Sequence, residues 1–327
     1  MDARPRVVAL PLATLAAPLS WGTTYVVVTE LMPADRPLLV SALRALPAGL
    51  LLATVGLMTS RWRPRGAEWG RQAALAVLNI GAFFPLLVVA VYRLPGGVAA
   101  AFGGVQPLLV ALLGWMVAGN RPRPLPLTVG VVAASGVAMV VLRPGAAMDW
   151  TGSMAAVGAN VSFALGVVFT KRWSAPSAPV AATGWQLLLA SVLLVPLAAV
   201  VEGVPRAVET SHLLGTSYLS VVATGLAFLL WFRGVRALPA AAPPLLGLAA
   251  PVTGAAIGWL VLGEDLTSFQ LVGFGVTLGA IAYGALGATR EDGLTPLVER
   301  LRRQVPRWSA ERMDRPPALP CGCPTRC

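Results

Sequence analysis

One arginine, Arg44, lies well inside an apolar stretch of the sequence, far from other charged residues. A buried guanidinium is costly in lipid unless it meets an acid, backbone carbonyls, water or a ligand. Its planar fork can hold a carboxylate or a phosphate through two parallel hydrogen bonds. Arg44 is therefore a candidate for binding an anionic or zwitterionic small molecule. The alternative is a structural arginine that extends along its helix to the membrane surface.

A few uncharged polar residues also lie within apolar stretches, and each needs a hydrogen-bond partner because an unpaired amide in hydrocarbon costs several kcal/mol. The partner is either a neighbouring helix or a bound ligand. These candidates are Asn79, Gln106, Asn160 and Gln186. Gln186 is of particular interest because it stands at the position equivalent to Arg44 in an internal repeat.

Two aromatic residues, Trp21 and Tyr25, are four positions apart and so share one face of a helix. On that face they line a cavity and stack on a ligand, or they pack in the core. Both interpretations fit the spacing.

The sequence lacks the residues that covalent chemistry requires. It has no H-E-x-x-H or P-loop motif, no acidic residue deep in an apolar stretch, and a single histidine, His212, at the start of one. The only cysteines, Cys321, Cys323 and Cys327, are too few for a tetrahedral zinc site. We expect no catalytic residues, no metal and no cofactor. The missing buried carboxylate also disfavours exporters that carry protons on a glutamate within the membrane.

The elements that must position these residues are membrane-spanning helices. The chain is 56% hydrophobic and 12% charged, which is more apolar surface than a soluble core can hide. Its net charge of +11 does not indicate nucleic-acid binding, because the arginines form no basic stripe with stacking aromatics. Ten stretches are long enough to span a bilayer, at about 7–29, 38–59, 71–92, 95–118, 125–142, 152–170, 180–201, 212–232, 238–262 and 268–288.

The charges of the loops alternate along the chain. Arginines concentrate in every second loop, including 61–71 and 121–123, whereas acidic residues occupy the loops between them. Since arginine-rich short loops stay in the cytoplasm, both termini are predicted to be cytoplasmic. Residues 289–327 are rich in Arg and Pro without a spanning stretch, and we expect a disordered cytoplasmic tail near the lipid surface.

The sequence repeats itself at a regular spacing. Without a gap, the repeat matches Pro107 with Pro251 and Trp115 with Trp259, among other pairs. The pattern predicts two five-helix repeats, 1–145 and 146–288, which are inverted because five is odd. Inverted repeats are typical of secondary transporters with a site between the halves. Pro107 and Pro251 are candidate hinges, with a static bend as the alternative.

The most specific signature is WFRGVRALPAAAPPLLGLAAP, from Trp231 to Pro251, followed by GWLVLGED, from Gly258 to Asp265. The first repeat carries the weaker form RLPGGVAAAFGGVQP, from Arg93 to Pro107, with Asn120 where a glutamate is usual. Together they resemble the EamA-like permeases of the drug/metabolite transporter superfamily. The resemblance implies a bacterial inner-membrane permease whose two halves share a central cavity, and which moves metabolites such as amino acids, often outward.

We therefore expect a multi-pass secondary transporter, an exporter of small organic metabolites that works by alternating access between its repeats. The alternatives are a passive channel, a non-transporting scaffold or a multidrug exporter, while an enzyme is disfavoured. The expected partners are a small-molecule substrate and the lipid bilayer, without nucleic acid. A homodimer is one option for the assembly.

Overall fold

The helices are seen in a computed structural model that describes residues 4–119, 124–141, 149–173, 178–203, 209–238, 242–247, 249–261, 263, 267–280 and 282–283. The described residues form helices and short connections, without a strand among them. These residues all belong to one compact unit, Met1–Ala285. The second unit, Leu286–Cys327, and with it the predicted tail and its cysteines, lies outside the described residues.

The first part of the chain folds into eight α-helices, which are α1 (Arg4–Gly22), α2 (Thr24–Leu31), α3 (Pro37–Ser60), α4 (Ala67–Ala76), α5 (Phe83–Arg93), α6 (Gly96–Ala101), α7 (Gln106–Ala118) and α8 (Pro124–Val141). A π-helix, Val77–Ala82, joins α4 to α5 and is called here the first π-helix. A 3-10 helix, Phe102–Val105, joins α6 to α7.

The later part of the described chain contains α9 (Trp150–Arg172), α10 (Pro179–Val201), α11 (Thr210–Ser220), α12 (Ala227–Ala237), α13 (Ala242–Gly247), α14 (Ala249–Val261) and α15 (Ser268–Ala280). A second π-helix, Val221–Leu226, joins α11 to α12. In lipid the backbone must satisfy its own hydrogen bonds, which is why apolar stretches of this length form helices.

Seven helical segments among the described residues are long and apolar enough to cross a membrane: Leu10–Leu31, Pro37–Ser60, Ala67–Arg93, Val98–Val117, Trp150–Arg172, Pro179–Val201 and Thr210–Ala237. Three shorter apolar helices, Leu127–Gly136, Ala249–Val261 and Ser268–Ala280, coincide with the other three stretches that the sequence predicts to span. The chain is therefore an all-helical, multi-pass membrane protein in the part that the structure describes.

The helix boundaries recur along the chain at the spacing of the sequence repeat. The offset that superposes Pro107 on Pro251 also superposes both ends of the first π-helix on those of the second, and both ends of α5 on those of α12. It brings α7 onto α14 with a small shift. The local backbone geometry is thus repeated as well as the sequence, down to a π-helix in the same place.

The equivalent helices α3 and α10 pack closely on each other in opposite directions. A Cβ atom on Gly56 would lie 2.4 Å from the Cα of Ala181, and one on Gly184 would lie 2.3 Å from the backbone nitrogen of Ala53. Residues later in α3 therefore contact residues earlier in α10, so the two helices are antiparallel. The absent side chains let the two backbones meet, as small residues do at interfaces within membranes.

Candidate functional site

A cavity of about 70 Å³ lies between the two parts of the chain that the sequence repeat defines. Its walls come from both parts in similar share: Trp21, Thr24, Tyr25, Arg44, Phe83, Leu87, Ala99, Gly103 and Gln106 from the first, and Ala156, Asn160, Phe163, Trp231, Gly247, Ala250 and Pro251 from the second. None of these lining residues is acidic. The cavity therefore presents aromatic faces, amides, hydroxyls and one guanidinium.

Arg44 is 1% exposed and reaches this cavity from the first half of α3. Its Nε donates to Thr224 Oγ1 at 3.0 Å, and its Nη2 donates to the carbonyl oxygen of Ala223 at 3.4 Å. Its Cζ lies 3.9 Å from the centre of the Phe84 ring, which adds a cation-π contact. Its Nη1 has no hydrogen-bond partner among the described residues. The charge is thus partly solvated by protein, and one nitrogen has no partner among the described residues.

The aromatic wall of the cavity is built around Trp21. Its Nε1 donates to the carbonyl oxygen of Ala223 at 3.0 Å, so one carbonyl receives hydrogen bonds from both Trp21 and Arg44. The Trp21 ring meets Phe163 edge-on at 5.7 Å between centres and Trp231 at 5.1 Å. Aromatic pairs prefer particular ring orientations, and such contacts add to the free energy gained by burying the rings. The cavity therefore has an aromatic wall beside the guanidinium.

Two aromatic pairs join positions that the repeat makes equivalent. Trp21 contacts its counterpart Phe163, and Phe84 contacts its counterpart Phe228 at 5.5 Å between ring centres. Trp21 and Phe163 both line the cavity, which therefore lies where the two parts of the chain face each other.

Other polar groups in the cavity wall also lack partners within the described residues. Gln106 is 6% exposed, and neither its Nε2 nor its Oε1 forms a hydrogen bond there. The same holds for the hydroxyl of Thr24 and the Nε1 of Trp231. Buried polar atoms are rarely left unpaired, and these groups are therefore open to a ligand or water, although unpaired polar atoms also occur at buried positions away from the cavity. Asn160, by contrast, donates to the carbonyl oxygen of Ala156 at 2.8 Å within its own helix.

Two of the polar residues singled out in the sequence lie elsewhere. Gln186 is buried and donates through Nε2 to Gln72 Oε1 at 2.9 Å, and it is not among the residues that line the cavity. Asn79 is fully buried in the first π-helix against Gly166, where a Cβ would lie 2.0 Å from Asn79 Oδ1. The structure thus brings Trp21, Tyr25, Arg44, Gln106 and Asn160 together at one cavity, and keeps Gln186 and Asn79 apart from it.

The two prolines stand near the first residues of α7 and α14, beside the cavity. Pro107 is the second residue of α7, directly after the 3-10 helix. Pro251 is the third residue of α14 and itself lines the cavity, with its ring 3.6 Å from where a Cβ of Gly103 would be. At Pro107 the α-helix thus follows directly on a 3-10 segment, next to the cavity-lining Gln106.

Sequence reasoning missed several members of this wall. Thr24 and Trp231 were not singled out in the wall, and neither was Thr224, which accepts from Arg44 without lining the cavity. Trp231 was visible as the first residue of the most specific signature, and Phe163 as the repeat equivalent of Trp21. For Thr224 no signal existed, because its role depends on a π-helix that hydrophobicity does not reveal.

The cavity wall combines several hydrogen-bond donors. It offers hydrogen-bond donors from Arg44, Gln106, Thr24 and Trp231, and the described residues of its wall include no acid-base pair or group of metal ligands. A desolvated guanidinium with free hydrogen-bonding capacity favours a carboxylate or another oxyanion.

Comparisons with known proteins agree with this interpretation of the fold. The EamA-like transporter family matches residues 10–142 and again 150–283. Protein PecM of Dickeya dadantii is 37% identical over 259 residues, covering 79% of this chain and 86% of that protein. The uncharacterized transporter YwfM of Bacillus subtilis is 27% identical over 278 residues, covering 84% and 93% respectively. A solved crystal structure with 21% identity superposes with a TM-score of 0.67 over 86% of this chain and 98% of its own.

The two family matches follow each other and together account for most of the chain. The solved structure shows the same fold, and the expected absence of enzymatic activity is confirmed by the family, whose members are transporters. The resemblance drawn from the sequence is confirmed with it. The chain belongs to the EamA-like transporter family.

Proposed function

We propose that this protein is a secondary carrier of small organic metabolites that bear a carboxylate, such as amino acids. The observation that carries the proposal is the free Nη1 of Arg44, a buried cationic donor at a cavity without acidic residues in its wall. The unpartnered amide of Gln106 and hydroxyl of Thr24 supply further contacts on the same cavity. The aromatic wall accommodates the apolar part of such a molecule.

We further propose ten membrane crossings in two inverted five-helix repeats that alternate access to the cavity. Antiparallel packing of α3 on α10 supports this, because equivalent helices of inverted repeats cross the membrane in opposite directions. The cavity volume of about 70 Å³ is well below the roughly 300 Å³ or more that is typical of ligand pockets, so cargo entry requires the walls to move apart. Pro107 and Pro251 are the proposed hinges, since a proline inside a span removes a backbone hydrogen bond.

The placement in the cell follows from the loop charges. We propose a bacterial inner membrane with both termini in the cytoplasm, since arginine-rich loops such as 61–71 stay on that side. Outward transport is proposed on the resemblance to the family.

Counterflow into proteoliposomes tests the proposal. Vesicles loaded with a pool of amino acids and organic acids are exposed to the same pool in isotopically labelled form, and exchange is followed by mass spectrometry. We expect saturable exchange of particular carboxylated members, at least tenfold slower for Arg44→Gln, since losing a charged hydrogen bond costs about 1.5–3 kcal/mol. Arg71→Gln, at an exposed position on α4, is the matched control and should exchange like the wild type.

The alternatives give different outcomes in the same experiment. A passive channel gives flux that does not saturate and shows no acceleration by substrate on the far side. A non-transporting scaffold gives no exchange. A multidrug exporter exchanges cationic drugs instead, which a cavity wall with a guanidinium and without an acidic residue disfavours. Exchange that is unaffected by Arg44→Gln would contradict the role of Arg44.

A further inference from the structure

We propose that the second π-helix is a positioning device for the cargo-binding arginine, with Thr224 and the carbonyl of Ala223 as its two contact groups. The inference rests on the proposed function, since it assigns how Arg44 is oriented toward a carboxylate. Thr224 is a positioning residue here, because it acts through Arg44 and is not among the residues that line the cavity.

The first step of the argument concerns the Ala223 carbonyl. In an α-helix this oxygen would accept from the backbone N–H of Ala227, four residues later. In the second π-helix that N–H bonds instead to the carbonyls of Val222 and Thr224. The Ala223 oxygen thereby loses its α-helical partner, and it accepts from Trp21 Nε1 at 3.0 Å and from Arg44 Nη2 at 3.4 Å. The irregular turn thus supplies an acceptor inside the membrane for two side chains of the cavity.

The second step concerns which side of the Arg44 guanidinium forms hydrogen bonds to the protein. The Nε hydrogen and one Nη2 hydrogen point in the same direction along one side of the planar group. Thr224 Oγ1 and the Ala223 carbonyl occupy that side. The remaining end of the fork consists of Nη1 and the second Nη2 hydrogen, and Nη1 is the nitrogen without a partner among the described residues. The π-helix thus leaves the end-on face of Arg44 for two parallel bonds to a carboxylate.

The first π-helix provides an internal comparison. Asn79 and Ile80 stand there at the positions of Ala223 and Thr224, so the hydroxyl acceptor is replaced by an apolar side chain. Gln186, the equivalent of Arg44, is not held by that π-helix through its side-chain nitrogen but donates to Gln72. Two equivalent π-helices therefore exist, and the hydroxyl and the arginine that bonds to it are present together at the second and absent together at the first.

The test measures charge selectivity rather than total transport. Proteoliposomes receive an equimolar pool of the common amino acids and their C-terminal amides, and the ratio of acid to amide exchanged is determined by mass spectrometry. Because this ratio does not depend on how much protein is folded, it separates positioning from stability. We expect Thr224→Val to lower the ratio about tenfold, since a buried guanidinium nitrogen loses its partner and the fork turns.

The controls are matched to the change. Thr224→Ser keeps the acceptor and should restore the ratio. Thr183→Val removes an equally buried hydroxyl that bonds only to the carbonyl of Pro179 in its own helix, at 2.9 Å, and should leave the ratio unchanged. Thr224→Ala removes the same acceptor with a smaller side chain and takes the place of the valine variant if that protein is not recovered folded.

A second measurement needs no cargo. The protein is labelled with ¹⁵N-arginine and solubilised in detergent, and the Nε–H signal of Arg44 is identified by its loss in Arg44→Lys. We expect the Nε hydrogen of Arg44 to exchange slowly with water in the wild type and at least tenfold faster in Thr224→Val. An unchanged rate of hydrogen exchange together with an unchanged acid-to-amide ratio would overturn the positioning role of Thr224. If the wild type transports no member of the pool, the result would instead count against the proposed carrier. The rate of hydrogen exchange at Arg44 Nε would still decide the role of Thr224.

Discussion

The buried Arg44 shows how a charge can be held inside a membrane protein without a described carboxylate beside it. A hydroxyl, a backbone carbonyl and an aromatic face replace part of its hydration. A carboxylate partner would fill the same fork that a cargo needs, whereas these weaker groups leave it open. The contacts reduce the cost of burying the charge and leave Nη1 without a partner among the described residues.

Two buried glutamines allow a prediction that separates binding from stability. Gln106 has no partner for either amide atom among the described residues, whereas Gln186 donates through Nε2 to Gln72 at 2.9 Å and only its Oε1 lacks a partner there. Gln106→Met should leave the free energy of unfolding unchanged or raise it by up to about 1 kcal/mol, because an unsatisfied buried amide is removed. Gln186→Met should lower it by about 1–3 kcal/mol, because Gln72 is left unpaired.

Unfolding in mixed micelles, followed by circular dichroism, measures both changes, and counterflow of the amino-acid pool is measured in parallel. We expect Gln106→Met to exchange more slowly despite its stability, and Gln186→Met to exchange at the wild-type rate per folded molecule. Loss of stability in Gln106→Met would indicate that its amide is structural.

At the scale of elements, the contact between α3 and α10 holds the two repeats together. Gly184→Ala would place a Cβ 2.3 Å from the backbone nitrogen of Ala53, which cannot move without shifting α3. We expect a loss of about 3 kcal/mol, at the upper end of the cost of overpacking. Gly275→Ala, on α15 with open space around its Cβ, should be neutral or slightly stabilising. Equal unfolding midpoints in mixed micelles for the two variants would contradict this packing.

The residue that follows α10 also caps a helix of the first repeat. The carboxylate of Glu202 accepts from the backbone nitrogens of Leu38 and Leu39 at 2.7 and 2.8 Å, at the start of α3. Glu202→Ala removes both bonds and a charge that favours a helix N-terminus, so we expect a loss of about 0.5–2 kcal/mol. Glu30→Ala, at an exposed position on α2, is the control. Thermal midpoints that fall equally in both variants would argue against a cap.

At the scale of the whole molecule, inversion of the repeats can be tested by labelling. Because α3 and α10 are antiparallel, the residues that follow them should lie on opposite sides of the membrane. We expect Thr210→Cys to react with an impermeant maleimide in intact cells, and Arg63→Cys to react only after the membrane is opened, as its arginine-rich loop is predicted to be cytoplasmic. The background for both lacks the native cysteines Cys321, Cys323 and Cys327. Labelling of both sites from one side would exclude inversion.

The sequence by itself determined the membrane setting, the repeat and the family. Long apolar stretches have few alternatives to helices in lipid, and identities such as Pro107 with Pro251 survive without any knowledge of contacts. It also identified five residues that meet at the cavity, because a polar or aromatic group inside an apolar span is conspicuous in one dimension.

The tertiary structure decided which of those groups are already satisfied and which are open to a ligand. Nothing in the sequence distinguishes Gln186, bonded to Gln72, from Gln106, whose amide is free among the described residues, because both are glutamines in apolar helices. Hydropathy likewise does not reveal the π-helix at Val221–Leu226 or its hydrogen bond to Arg44. Both depend on the Ala223 carbonyl losing its α-helical partner and on α3 packing against this turn. Hydrogen bonds between distant segments depend on three-dimensional packing. These bonds determine which nitrogen of Arg44 remains without a partner among the described residues.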